Sequence, residues 1–477
     1  MRTSGLLDAA QGPLHPAARE TLLAALDAGW ADPRRLYAEA RRARALLDQA
    51  REILATGIGV RPAELSLHAS GEDALSTALS GVLHARRRHA STIVASAVEH
   101  SLVLTHQQHD TRPVPVDEHG RVDLEQWSHA LRGEQVAVAA LQHANGEVGT
   151  LQPLAEAYAM AQRSAIPLIC DAQASLGRVL APEHADVIVG SAASFAGPPA
   201  IGLLVVREGT RFGLPGRRRE TEHGRADTDP WVPLALAAAE AWRQVEAQRE
   251  EDAAAATAII ERLRSALSQI PGVEVVGHPT DRLPHILTAS ALYVDGETIV
   301  HELARRGLLV ASGSACTAST LQPSHVLAAM EALSHGNVRI TLPVAAIGTD
   351  RAADAGALVT HLAEIVTAAR ESVWGSVDPG PTTTTSTTST THPGPTSTSD
   401  TGTIDARGSL CPQPIIDLAR WWRHHPQADS VRLLADDEAA RADVPAWCRM
   451  TGRSLDEVSD LDEGGTAYVI GTGSQRD

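Results

Sequence analysis

Between about 375 and 402 the chain runs through Pro379-Gly380-Pro381-Thr382-Thr383-Thr384-Thr385-Ser386 and continues as Ser, Thr and Pro. Such a stretch has almost nothing to bury, so no apolar gain offsets the entropy of ordering it. It is expected to be a linker, and it forces at least two folding units. Its roughly 28 residues would span about 30 Å as a coil and at most about 100 Å fully extended. A chain of 477 residues is in any case long for one core, since domains usually hold about 100 to 200 residues.

Before the linker, strand-length apolar runs alternate with helical patterns. The runs include Thr92-Ile93-Val94-Ala95, Val136-Ala137-Val138-Ala139-Ala140-Leu141, Pro167-Leu168-Ile169-Cys170, Val187-Ile188-Val189 and Leu203-Leu204-Val205-Val206. Helices are expected over 71–85, 154–164 and 233–270. This alternation predicts the α/β class: a parallel-rich sheet covered by helices, in a large domain over 1–271 whose N-terminal segment is free to pack elsewhere. From 272 to 374 shorter strands mix with helices, which predicts a small α+β subdomain. The 375–402 linker then leads to 403–477, where alternating strand and helix suffice for one two-layer α/β unit. No internal repeat is evident.

The formal charge of −17 makes phosphate backbones unfavourable partners, so nucleic acid is not expected as a main one. The short run Arg217-Arg218-Arg219 reads as a solvated loop or subunit contact. No apolar stretch approaches the roughly 18 to 20 residues of a membrane span, and the N-terminus lacks a signal h-region, so a cytoplasmic protein is expected. Four cysteines without a C-x-x-C fit free thiols in a reducing compartment, and no metal is expected. All 41 residues pooled as Lys plus Arg are arginine. Abundant Ala, Arg, Gly and Pro suggests GC-rich coding bias, which replaces surface lysines but does not by itself remove a catalytic one.

One thiol stands among small residues in Ala311-Ser312-Gly313-Ser314-Ala315-Cys316-Thr317-Ala318-Ser319, a setting for an exposed, reactive cysteine. Around it, several short motifs stand in one order: Leu7-Asp8-Ala9-Ala10, Leu36-Tyr37-Ala38-Glu39-Ala40, Val98-Glu99-His100-Ser101, Asn145-Gly146-Glu147-Val148-Gly149 and Asp171-Ala172-Gln173-Ala174-Ser175-Leu176-Gly177. Together they resemble the NifS/IscS-type cysteine desulfurases of the class V aminotransferase group, over residues 1 to about 372.

The resemblance implies a type I pyridoxal-phosphate transferase fold, a homodimer, and a loop cysteine, Cys316, that carries persulfide. It also implies that Asp171 faces the pyridine nitrogen, His100 stacks on the ring, Asn145 fixes a ring substituent, Ser191 contacts phosphate and Arg339 binds the substrate carboxylate. The family's Ser-Gly-His-Lys aligns with Ser191-Ala192-Ala193-Ser194, anchored downstream by Gly197-Pro198 and Ile201-Gly202. Ser194 therefore stands where the Schiff-base lysine should be. Ser70 precedes Gly71 where the family has Ala-Thr, and Gln173 comes one place early. A chain without any lysine has no side-chain amine to replace the missing one, so the implied pyridoxal phosphate is placed in question.

Past the linker, Asp405-Ala406-Arg407-Gly408-Ser409-Leu410-Cys411-Pro412-Gln413-Pro414 resembles the Cys-Pro-x-Pro of TusA-type sulfur carriers. Ala435-Asp436-Asp437 and Asp443-Val444-Pro445-Ala446-Trp447-Cys448 continue that resemblance. Pro412 is expected at a helix's first position, with the helix dipole favouring the Cys411 thiolate. Cys170 and Cys448 read as packing residues.

Three functions stay open at this level. One is a persulfide relay through Cys316 and Cys411, fed by an active desulfurase or a persulfide donor and ending on an acceptor protein. Another is a pyridoxal-phosphate cysteine desulfurase releasing alanine. The third is a non-catalytic desulfurase-fold scaffold presenting the carrier.

Overall fold

The computed structural model describes residues 5–473, apart from 30, 89, 107–109, 217–219, 314–322, 375–400 and 463. Cys316, the arginine run at 217–219 and most of the expected linker lie outside the described residues.

The first unit is a seven-stranded sheet of β1 (Leu65–His68), β2 (Thr92–Ser96), β3 (Thr111–Val114), β4 (Val136–Ala140), β5 (Leu168–Asp171), β6 (Val187–Ser191) and β7 (Gly202–Val206), in the order β1-β7-β6-β5-β4-β2-β3. The pairs among β6, β5, β4, β2 and β3 are parallel, and β7 runs antiparallel to both β6 and β1. Strands β2 and β4 are buried along their whole length, as expected of a sheet covered on both faces. One face packs on α1 (Pro16–Asp27), α2 (Ala38–Ile58) and others through Leu47, Leu54, Trp127 and Trp242. The other packs on α3 (Gly71–Arg86) through Leu75, Leu79 and Leu83, and on α4 (Ser101–Leu104) through Val103.

Two short helices, α5 (Leu124–Leu131) and α6 (Leu154–Arg163), complete the crossovers, and the long α7 (Val232–Leu267) leaves the large domain. Its first half, with Ala235 and Val245, belongs to the large core; its second half, with Ile259, Ile260 and Leu263, belongs to the next. That second core holds the antiparallel sheet β8 (Val273–Val276), β9 (Ile286–Ala291) and β10 (Asn337–Thr341), with α8 (Gly296–Arg305) and α10 (Arg351–Trp374); the short α9 (His325–Ala329) precedes β10. Residues from the chain's start join it: Leu6 bridges Leu309, Asp8 bridges Thr341, and Leu7 is fully buried between.

The C-terminal unit has β11 (Thr401–Asp405), α11 (Gln413–His424), β12 (Ser430–Ala435), α12 (Ala440–Thr451), β13 (Ser454–Asp460) and β14 (Thr466–Gly471). Its sheet order is β11-β12-β14-β13. β11 begins at Thr401, inside the span assigned to the linker, because Thr401 and Gly402 pair with Ser430 and Val431. This unit docks on the small subdomain. Leu292, Tyr293, Leu333 and Val373 share one apolar cluster with Ile415, Trp422, Val444 and Trp447, and the Trp447 indole N–H donates to the Tyr293 hydroxyl at 3.1 Å.

Candidate functional site

In an α/β sheet the C-terminal ends of the parallel strands leave a crevice, and the expected residues gather there. Asp171 ends β5 and Ser191 ends β6, while His100 and Asn145 follow β2 and β4. Gly202 opens β7 beneath the start of α3, where a Cβ would come within 1.9 Å of the Ser70 carbonyl oxygen. Ser70 caps α3 by accepting from the Asp73 N–H at 3.1 Å.

Each of these side chains already has partners within the chain. Asp171 accepts from the Gln173 backbone N–H at 2.9 Å and from its side-chain amide at 3.0 Å. The Gln173 amide oxygen lies against α3, since a Cβ on Gly71 would fall 1.8 Å from it. Gln173 therefore spans the gap between Asp171 and the helix N-terminus. Burial raises the Asp171 carboxyl above the carboxylate range, while the Gln173 bonds and His100 pull it back. His100 Nδ1 accepts from the Leu102 N–H, and Asn145 Oδ1 accepts from Glu147 N and Val148 N. The buried Ser194 hydroxyl donates to the Ser191 carbonyl at 2.8 Å, and its own carbonyl accepts from Arg178 Nε at 2.6 Å.

Arg339, on β10, belongs to the small subdomain. Its backbone exchanges hydrogen bonds with Ala311 at the entry to the Cys316 segment, and its Nε is buried without a partner. Glu147 links the two sides: its Oε2 accepts from Ser324 and its backbone oxygen from Thr288.

Glu99, beside His100, is fully buried, and burial pushes its carboxyl up to about 8, with the Asp171 charge adding to the rise. The folded protein then holds this proton while the unfolded chain, near 4.5, has lost it. Stability contributed by the protonated group is present at acid pH and is lost as pH rises toward 8. Between pH 6 and 8 the loss is about 2 kcal/mol. Glu99→Gln keeps an acceptor for the Gln142 N–H and should flatten that slope in unfolding curves; an unchanged slope would refute the assignment.

The second candidate centre is at the TusA-like end. Cys411 is half-buried in the turn before α11, and its N–H donates to Asp437 Oδ2 at 2.6 Å. The expected thiolate is not what the surroundings favour. Pro412 is the cap, not the first helical residue, and the thiol is pushed far up by burial, then by Asp443 and Asp437. Two carboxylates outweigh a terminal dipole worth about 0.3–1 kcal/mol at an exposed site. Asp443 Oδ1 accepts from the Ser334 N–H at 2.7 Å and hydroxyl at 2.9 Å, and its Oδ2 faces His335 Nδ1 at 2.7 Å. Ser334 and His335 belong to the small subdomain, and neither was singled out by sequence: a lone His or Ser carries no signal until tertiary packing gives it a partner. Cys170 and Cys448 are buried, with the Cys448 thiol pushed up to about 12.

The class-V aminotransferase family matches residues 9–348 and the sulfurtransferase TusA family residues 402–471. The chain belongs to the class-V aminotransferase family. Within it, its relatives are cysteine desulfurases, and it carries in addition a C-terminal TusA domain. The cysteine desulfurase of Cereibacter sphaeroides is 32% identical over 346 residues, covering 69% of this chain and 88% of that protein. Cysteine desulfurase IscS of Methanosarcina thermophila is 28% identical over 349 residues, covering 70% and 86%. Among solved structures, a NifS-like protein superposes with a TM-score of 0.68 at 22% identity, over 76% of this chain and 100% of that one. A second, from Rickettsia africae ESF-5, has a TM-score of 0.67 at 19% identity, over 76% and 99%; both speak for the fold. The family implies pyridoxal phosphate as its cofactor. Among the described residues no helix is long and apolar enough to cross a membrane.

Proposed function

We propose that this chain transfers sulfur it receives in activated form and does not liberate sulfur from cysteine itself. The observation that carries this is covalent: the sequence has no lysine, so no side chain can anchor pyridoxal as an imine, and the aligned Ser194 hydroxyl is turned onto the Ser191 carbonyl. Support comes from Gln173, which satisfies the Asp171 carboxylate that would otherwise face a pyridine nitrogen. The residues present do not fit the cofactor. Instead, Cys411–SH reacts with a donor persulfide R–S–SH. The Cys411 sulfur attacks the outer sulfur, the donor's S–S bond breaks, and R–SH leaves with the proton, giving Cys411–S–SH. Cys316 is an intermediate stop or parallel acceptor in a homodimeric, cytoplasmic protein that delivers to an acceptor protein.

Purified protein mixed with pyridoxal phosphate and cysteine should show no protein-bound imine absorbance and release no alanine, while mass spectrometry after persulfide treatment finds added sulfur on Cys316 or Cys411. Alanine release at desulfurase rates would overturn the proposal. The docked TusA unit favours a second reading, in which the desulfurase fold is a scaffold. Transfer unaffected by Cys316→Ala but lost on removing 1–372 would select it.

A further inference from the structure

The junction between the small subdomain and the TusA domain gathers side chains that sulfur transfer alone does not require. A ring nitrogen of His335, Cys411 Sγ and a carboxylate oxygen of Asp443 all lie within 4.8 Å of one another. His335 comes from the approach to β10, Cys411 from the turn before α11 and Asp443 from α12, so neither unit owns the set alone. His335 is only 9% exposed, and its Nε2 is buried without a hydrogen-bond partner. Asp443 is fully buried. Asp437 brings a second carboxylate to the Cys411 backbone. Asp443 is a buried carboxylate beside a thiol and an imidazole whose second nitrogen is unused, a setting that a bound cation would stabilise further.

We propose that His335, Cys411 and Asp443 form a divalent-metal site, fitted to zinc and completed only when the TusA domain is docked. The ligand set is one sulfur, one nitrogen and one oxygen, which suits zinc and disfavours magnesium or calcium. Tetrahedral zinc holding such atoms at about 2.0–2.3 Å sets its ligands roughly 3.3–3.8 Å apart, so atoms grouped within 4.8 Å would draw in by up to roughly 1 Å on binding. A fourth position stays open to water. On binding, the Cys411 S–H bond breaks, sulfur keeps the electron pair and donates it to zinc, and the proton leaves to solvent, with no change of oxidation state. The ion would clamp the carrier to its own desulfurase-like unit and compete with sulfur for Cys411. This goes beyond sulfur transfer and does not depend on it.

The test uses the full chain, stripped with chelator, reduced, and titrated with zinc chloride or cobalt chloride. One zinc per chain should bind with proton release, and the cobalt form should show a sulfur-to-metal charge-transfer band. Cys411→Ser should lose that band, and Cys411→Ser and His335→Gln should each weaken binding by at least about 10- to 100-fold, the loss that even an outer-shell partner brings. Circular dichroism confirms that each variant is folded, and if one is not, the other decides. No stoichiometric zinc on the wild type, or an unchanged cobalt band in Cys411→Ser, would overturn the site. Persulfide uptake by the metal-free protein is read separately, so a failure here leaves the sulfur-transfer reading standing.

Discussion

Asp443→Ala is expected to weaken the hold of the TusA domain on the small subdomain and to lower the unfolding free energy by about 3–5 kcal/mol, since buried donors left without an acceptor cost about 1–3 kcal/mol each. Asp443 is on α12, yet its carboxylate reaches across the junction to accept from the Ser334 N–H and hydroxyl and to face His335 Nδ1. Truncating it strands three buried donors on the far side of the junction. The apolar contacts around Tyr293 and Trp447 oppose separation, but the Trp447 indole bond to Tyr293 depends on the same docked geometry and is lost with it. Asp443→Asn is the control: its amide oxygen can still accept from Ser334, so it should lose less than alanine does. Denaturant unfolding gives the energy, and small-angle scattering reports the loosening as a larger radius of gyration. An alanine variant that unfolds and scatters like the wild type would show that the carboxylate does not hold the junction.

What the sequence revealed, and what it hid, follows from which interactions each residue makes. Strands β2, β4, β6 and β7 were legible because both faces are buried and their apolar runs are continuous. β13 was not: Ser454-Leu455-Asp456-Glu457-Val458-Ser459-Asp460 is an edge strand with three acidic residues facing water, and its backbone pairing with β14 outweighs its composition. β3 was missed for a related reason, since Pro113 sits in an edge strand where its missing N–H costs no ladder bond. The crevice residues Asp171, Ser191 and Asn145 could be picked out by motif, but the consequence of Gln173 standing one place early could not. Only the fold shows that this shift turns its amide onto Asp171. His335 is the extreme case, an ordinary histidine whose chemistry comes wholly from a carboxylate 108 residues away.

Cys411→Ser should reduce persulfide labelling of the TusA domain to the level of a donor-free control. Among the described cysteines Cys170 and Cys448 are buried in apolar cores, and only Cys411 has surface that a donor could approach. A serine hydroxyl keeps the size and can still bond to the neighbouring carboxylates, so the fold should survive. It is not a thiol, however, and cannot attack the outer sulfur of a persulfide under the same conditions. Cys316→Ser, made alongside, separates relay from parallel loading. If sulfur reaches Cys411 through Cys316, label on the tail falls in both variants; if Cys411 is loaded directly, it falls only in the first. Full labelling of the tail in Cys411→Ser would move the acceptor to Cys448, and would require that thiol, 3% exposed, to open to solvent before it reacts.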